Sequence, residues 1–315
     1  MGLHDLLSHP QDIAHFAIEA LHADRGVVLI FVTDTGGGGV RAPGLRMAID
    51  GLGNAIGYVS NGCVEADIIG QALEALAEGR PRALVYGAGS PNVDIRLPCG
   101  GRMDILAVPL ADDLAMTTLA RAMRERTATT LDLSTSGTIR IGAGAEDEAG
   151  AGWRFALFPK IRLIVMGSGQ EAVLLARLAD AADMQVHLYS PEAETTAAVS
   201  RLGLAATPLL GLGSSPQIGC DPGTAVALLF HDHEWELKIL QQVMAGPAFY
   251  IGALGSTRAN EGRRELLSGA GVPNASIERL KAPIGLIPRL RDPNLLAISV
   301  LADVTAEFQR RFGAF

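Results

Sequence analysis

Arg162-Leu163-Ile164-Val165-Met166-Gly167-Ser168-Gly169-Gln170-Glu171-Ala172 opens the second half of this 315-residue chain. The run from Arg162 to Met166 is almost wholly apolar, the pattern of a strand buried on both faces. The next six residues fit G-x-G-x-x-A. After them Leu174, Leu175, Leu178 and Ala182 predict the inward face of a helix. In this order the first glycine permits a tight turn and the second lets a ligand's phosphate approach the backbone. The small Ala172 lets helix and strand pack closely. Free N–H groups and the positive dipole end at the helix start suit an anion. The competing reading is a structural turn that holds no ligand.

The same alternation continues outward. Gln185 to Tyr189, Ala225 to Phe230 and Phe249 to Gly252 read as strands. Ala193 to Leu202, Trp235 to Met244, Glu261 to Gly269 and Leu295 to Gln309 read as helices, with a Gly/Pro-rich loop from Leu210 to Gly223. Strands alternating with helices predict a Rossmann-like, doubly wound parallel sheet over residues 157–315. A nicotinamide dinucleotide needs an acid at the end of the second strand, about 20 residues on. Here Leu188-Tyr189-Ser190-Pro191 puts Ser190 at that place, with Glu192 as a late substitute. Two more loops follow strands, where open sheets bind ligands. His231-Asp232-His233-Glu234 reads as a metal group, as a pair that orients a ligand or loop backbone, or as a solvated turn. In Gly255-Ser256-Thr257-Arg258, the Arg holds a phosphate, or the Ser or Thr merely caps a helix beside an exposed Arg.

The first half predicts a mixed α/β domain over residues 1–156. Helices are expected over Ile13 to His22, Glu65 to Glu78 and Leu114 to Glu125, the second with Ile69, Ala72, Leu73 and Leu76 inward. Strands are expected over Val27 to Thr33, Leu45 to Ile49, Ala55 to Val59, Ala83 to Tyr86 and Asp104 to Pro109. Thr127 to Gly152 is rich in Thr, Gly and Ala with weak periodicity, and the domain boundary is expected near Leu157. Three features here bear on chemistry. Gly36-Gly37-Gly38-Gly39 is a turn or backbone cradle beside Arg41, and it lacks the Gly-Lys-Ser/Thr ending of an ATP-binding loop. Cys63 lies between a strand end and a helix start, where a thiol is biased toward thiolate. Cys99 precedes Gly100-Gly101 in a turn. For both thiols the competing reading is a small buried hydrophobe.

Composition narrows the classes. Lys and Arg number 26 against 34 Asp and Glu, a net charge of −8, which argues against a nucleic-acid binder with a general basic surface. Cys63, Cys99 and Cys220 are an odd set with no CxxC pair, so neither a disulfide framework nor a zinc signature is expected, and a reducing cytoplasm is. Met1 to Pro10 has no apolar signal core, Leu6 spoils a myristoylation match, and no apolar run is long enough to span a bilayer. No G-x-S-x-G elbow occurs.

Several motifs agree on one family. The stretch from Gly37 to Glu65 carries Arg41, Pro43-Gly44, Met47, Gly57 and Ser60-Asn61-Gly62-Cys63-Val64-Glu65, and Leu97-Pro98-Cys99-Gly100-Gly101 follows it. These resemble the N-terminal module of the XdhC/CoxI family of accessory proteins for xanthine dehydrogenase and carbon monoxide dehydrogenase type molybdenum hydroxylases. The glycine turn at Gly167, Phe230 to Glu234, Tyr250 to Arg258, Pro283-Ile284-Gly285-Leu286 and Ala297 to Ala302 resemble that family's Rossmann module. Departures from the family's pattern fall at Asn61, Gln170, Ser190 and Ile287-Pro288-Arg289-Leu290.

The resemblance implies a bacterial, cytoplasmic, homodimeric chaperone. It would bind the molybdenum cofactor (molybdopterin), protect it while sulfur is added, and insert it into a client hydroxylase, with a cysteine desulfurase as a further partner and no membrane or nucleic acid. The implied contacts in the first domain are Cys63, Cys99, Gly62, Gly100, Gly101 and Arg41, with Cys63 against the soft molybdenum-dithiolene end. In the second they are Gly167, Gly169, Gln170, His231, Asp232, Gly255, Ser256 and Arg258. No general base is required, so no catalytic residue is named. Two other classes remain at this point. An NAD(P)-dependent oxidoreductase is opposed by Ser190, and a docking scaffold predicts unchanged function when Cys63 and Cys99 are both replaced.

Overall fold

The computed structural model describes residues 9–36, 42–60, 62, 64–90, 100–142, 152–211 and 216–313, and the chain divides into two units, Met1–Pro159 and Lys160–Phe315. In the first unit the elements run α1 (Pro10–His22), β1 (Val27–Gly36), β2 (Gly44–Asp50), β3 (Ala55–Gly57), α2 (Glu65–Glu78), β4 (Arg82–Gly87), β5 (Arg102–Pro109), α3 (Leu114–Arg124), β6 (Thr129–Ser134), β7 (Ile139–Ile141) and β8 (Gly152–Leu157). Five strands form a sheet of order β3-β2-β1-β5-β4, and every pairing in it is antiparallel.

β1 is central because its side chains are apolar on both faces. Val27, Leu29 and Phe31 join a core with α1, α3, β6 and β8. Val28, Ile30 and Val32 join another core with Ile68 and Ala72 of α2 and Tyr86. Period-two alternation of one apolar strand thus feeds two cores.

Two expectations are corrected here. Thr127 to Gly152, read as weakly periodic, contributes to a second antiparallel sheet of order β7-β6-β8. Its inward residues Leu131, Leu133, Phe155 and Leu157 are buried in strands that elsewhere carry Thr, Ser and Gly. The inward face of α2 is Ile68, Ala72 and Ala75, while Leu73 is half-buried and Ile69 and Leu76 pack at the core's margin. Close approach of helix to sheet favours the small Ala side chains at the contact line and moves the larger ones to its flank.

The second unit runs β9 (Arg162–Gly167), α4 (Gly169–Ala181), β10 (Gln185–Ser190), α5 (Ala193–Arg201), β11 (Ala205–Pro208), β12 (Thr224–Leu229), a 3-10 turn (His233–Trp235), α6 (Glu236–Ala245), β13 (Tyr250–Ala253), α7 (Thr257–Gly269), α8 (Asn274–Glu278), β14 (Leu280–Lys281) and α9 (Pro293–Phe312). The sheet order is β11-β10-β9-β12-β13-β14, with all pairs parallel. The chain winds outward from β9 to β11, crosses back, and winds outward again from β12, which makes the β9/β12 border the topological switch point. This is the Rossmann-type sheet that the alternation predicted.

The inward face of α4 is Ala172, Leu174, Leu175, Ala176 and Ala179. Of the residues expected there, Leu178 is half-buried and Ala182, just past the helix end, is exposed. The short elements β11, α8 and β14 were not among the expected ones. Among the described residues no helix is long and apolar enough to cross a membrane.

An ion cluster closes the last helix. Arg310 and Arg311 both donate to Glu307, at 2.5 and 2.9 Å for the shortest contact of each. The hydrogen-bonded Arg310 guanidinium holds the Glu307 carboxyl below the usual carboxylate range, with burial opposing and Arg311 adding to it. A carboxyl lowered in the fold stabilises it above the unfolded value, and that contribution is lost as pH falls through the folded value. Acid unfolding followed from about pH 6 to about pH 3 is therefore expected to be shallower in Glu307→Gln than in the wild type.

Candidate functional site

One edge of the first unit's sheet gathers the glycine- and thiol-bearing segments. Gly36, the last residue of β1, lies opposite Arg102, the first of β5. Gly87, the last of β4, also lies opposite Arg102. Gly44, the first of β2, lies opposite Val32, and Gly57, the last of β3, opposite Met47. Segments 37–43, 58–64 and 88–101 therefore all leave from the same edge. They carry Arg41, Cys63 and Cys99 in turn, three predicted contacts that lie outside the described residues.

Their described neighbours define the surroundings. Chain neighbours apart, no described residue places an atom within 4 Å of where a Cβ would stand at Gly62 or at Gly100. Gly101 is buried, and its carbonyl accepts from the Ala88 N–H at 3.2 Å.

Glu65, at the start of α2, braces the segment that contains Cys63. Its carboxylate accepts from Ser60 N–H at 2.6 Å, Ser60 Oγ at 2.6 Å, and Val59 N–H and Val64 N–H at 3.3 Å each. Glu65 and Asp67 both stand in the first turn of α2, so the positive helix end is already offset by carboxylates. Arg102 makes a two-point contact with Asp104, Nε to Oδ1 at 2.8 Å and Nη2 to Oδ2 at 3.1 Å. Neither role was read from the sequence. The available signals were an acid opening a helix and an Arg abutting Gly100-Gly101.

In the second unit the predicted residues lie at the carboxyl ends of the parallel strands. Gly167 ends β9 with φ +155°, and a Cβ there would stand 2.4 Å from the Leu229 carbonyl oxygen of β12. That glycine is demanded by the approach of two backbones at the switch point. The Gly169 N–H donates to Thr195 Oγ1 at 2.9 Å, and Gln170 is exposed. His231 and Asp232 are exposed. Asp232 Oδ1 accepts from the Glu234 N–H at 3.0 Å, starting the 3-10 turn, and His231 Nε2 lies 3.9 Å from Glu171 Oε2.

Beyond β13, Ser256 caps α7 by accepting from the Ala259 N–H at 3.2 Å, while Arg258 is exposed. Behind Gly255 sits a pair that sequence reading missed: Arg263 donates to Glu236 at 2.7 and 3.0 Å and to the Leu254 carbonyl at 2.8 Å.

Two predictions about ligand chemistry can be set against this geometry. Among the described residues no group of three or more His, Cys, Asp or Glu is arranged to hold a metal ion. At the place of a ribose-binding acid, Ser190 is fully buried. The third cysteine, Cys220, is half-buried, and burial pushes its thiol up, the reverse of an activated nucleophile.

Comparison with known proteins bears on the family and the fold. The sequence profile of the XdhC Rossmann domain matches residues 163–304, and that of the XdhC and CoxI family matches residues 20–87. A protein of Escherichia coli (strain K12) described as the molybdenum cofactor insertion chaperone PaoD is 33% identical over 297 residues, spanning 93% of this chain and 87% of that protein. A crystal structure described as a xanthine dehydrogenase from Bacillus halodurans has the same fold, with a TM-score of 0.74 at 21% identity over 96% of each chain.

Proposed function

Because this chain belongs to the XdhC and CoxI family, we propose that it is a maturation factor that binds the molybdenum cofactor and delivers it to a xanthine dehydrogenase or carbon monoxide dehydrogenase type hydroxylase. The observation that supports this reading is that segments 37–43, 58–64 and 88–101 all leave from the strand ends on one side of the first unit's sheet. The cargo has an anionic phosphate at one end and a soft dithiolene-bound metal at the other. A donor set of two thiols, open glycine backbone and an Arg suits both ends. Cys63 and Cys99 take the soft end, with Gly62, Gly100, Gly101 and Arg41 around them.

For the second unit, taken by itself, the proposed cofactor contacts at the strand ends are Gln170, His231, Asp232, Ser256 and Arg258, with Gly167, Gly169 and Gly255 in the turns that carry them. The chain works in the cytoplasm as a homodimer. Its client is the hydroxylase, and a cysteine desulfurase is the donor where sulfur is added.

The test is co-elution of purified full-length protein with cofactor released from a molybdoenzyme. Retention is expected for the wild type, with a loss on the order of 10–100-fold or more for Cys63→Ala and a smaller loss for Cys99→Ala. No retention by the wild type, or equal retention by wild type and Cys63→Ala, overturns the assignment.

A further inference from the structure

The last helix, α9, carries acids on its inner side and apolar residues on its outer side. Asp303 and Glu307 are both buried. Asp303 accepts from the buried Tyr250 hydroxyl at 2.8 Å, and Glu307 holds Arg310 and Arg311. On the outer side every exposed side chain from Asn294 to Gln309 is uncharged. A surface helix normally turns its charged residues to water and its apolar ones inward.

A second segment adds to this face. The Ile287 N–H donates to Ser299 Oγ at 2.8 Å, and the Leu286 N–H donates to the Ser299 carbonyl at 3.3 Å. A Cβ at Gly285 would stand 2.8 Å from the same hydroxyl, so this turn is seated closely against α9. Leu286 and Ile287 are thereby held near Ile298, the neighbour of Ser299. Leu286, Ile287, Leu295 and Ile298 are each 52–56% exposed. They form an apolar patch fixed by hydrogen bonds, the mark of a protein-binding surface.

The outward residues Leu295, Ile298, Ala302, Thr305 and Gln309 recur at intervals of three, four, three and four. That is the seam spacing of a helix that packs lengthwise against another helix. A two-fold axis sets a surface against itself, so any charge within the seam would meet its like. This chain has a net charge of −8, yet its seam carries none. The ends of the helix differ in sign: Asp292 caps the first turn, and Arg310 is exposed in the last. Antiparallel pairing brings the Asp292 end of each helix to the Arg310 end of the other, and parallel pairing brings like to like. Arg289 and Arg291 lie outside the seam, before the helix begins.

Resting on the homodimer reading above, we infer that α9, with Leu286 and Ile287, is the face on which a second copy of this chain seats, the two α9 helices running antiparallel. Sedimentation velocity of the full-length protein from about 1 to about 50 μM tests this. The wild type is expected to sediment as a dimer. Ile298→Glu sets two like charges within the seam and is expected to weaken association on the order of 100-fold or more. Leu52→Glu, which alters an exposed leucine of the first unit, is expected to leave the dimer intact. Ile298 is exposed, so its variant should keep the circular dichroism of the wild type. Should it not fold, Ala302→Glu, at another exposed position of the helix, takes its place. A wild type that stays monomeric at about 50 μM overturns both the inference and the homodimer reading, and leaves this face to a different protein. A dimer that persists in the folded Glu variants of α9 overturns the inference alone.

Discussion

Replacing Glu236 with alanine is expected to destabilise the second unit by about 3–5 kcal/mol, the usual effect of removing one partner from a buried ion pair. Glu236 and Arg263 are 2% and 5% exposed, and two parallel contacts join them at 2.7 and 3.0 Å. Without the carboxylate, the guanidinium still meets Asn260 and the Leu254 carbonyl, but its charge stays buried without the anion that faced it. Glu236→Gln retains one acceptor and should cost less. Urea unfolding, with hydrogen exchange on α6 and α7 to assign the transition, reads both variants. A cost below about 1 kcal/mol for the alanine variant would mean that the pair contributes no net stability. The same arginine anchors the carbonyl just before Gly255, so exchange in the loop after β13 should rise in parallel.

The second large effect is expected at Gly57. A Cβ there would stand 2.2 Å from the Arg46 carbonyl oxygen and 3.1 Å from Met47 Cα, at φ +83°. Alanine meets two penalties at once, a backbone conformation that L-residues avoid and a collision with the neighbouring strand. Together they put the cost of Gly57→Ala at roughly 2–4 kcal/mol. β3 ends at Gly57, and the segment containing Cys63 begins directly after it, so retention of the cofactor should fall along with stability. Unfolding and co-elution measured on the same sample separate the two effects. A variant as stable as the wild type would show that β2 and β3 can part without cost.

Where local pattern and tertiary packing agreed, the sequence was readable. α2 was bounded at Glu65 and Glu78, as found, because apolar spacing and an acidic start signal those ends. β9, the turn at Gly167 and α4 were legible for the same reason. The failures have physical causes. The strands of residues 129–157 bury only alternate residues, and the Thr, Ser and Gly between them dilute the signal. On α2 and α4 the expected Ala72, Leu174 and Leu175 do face inward, but Ile69, Leu73, Leu76 and Leu178 lie at the margin, and contact with the sheet also selects Ala75, Ala176 and Ala179.

At the site, the missing acid at Ser190 was legible, but the Thr195 hydroxyl that accepts from the Gly169 N–H was not, because it lies 26 residues away. The Glu236–Arg263 pair spans 27 residues across two helices and leaves no mark on either helix's own pattern.

The first unit's sheet stops at β4, whose outer backbone has no strand partner among the described residues. Its apolar centre, Leu84 and Val85, would make a ready template for stacking copies into fibrils. Arg82 stands at the head of that strand, gripped by Gln71 at 2.7 Å, Glu78 at 2.8 Å and Glu74 of α2. Any copy adding a strand there must bring a second such ion cluster alongside the first. The bare flank is thus guarded by the charges of Arg82, Glu74 and Glu78, a standing barrier against sideways growth of the sheet.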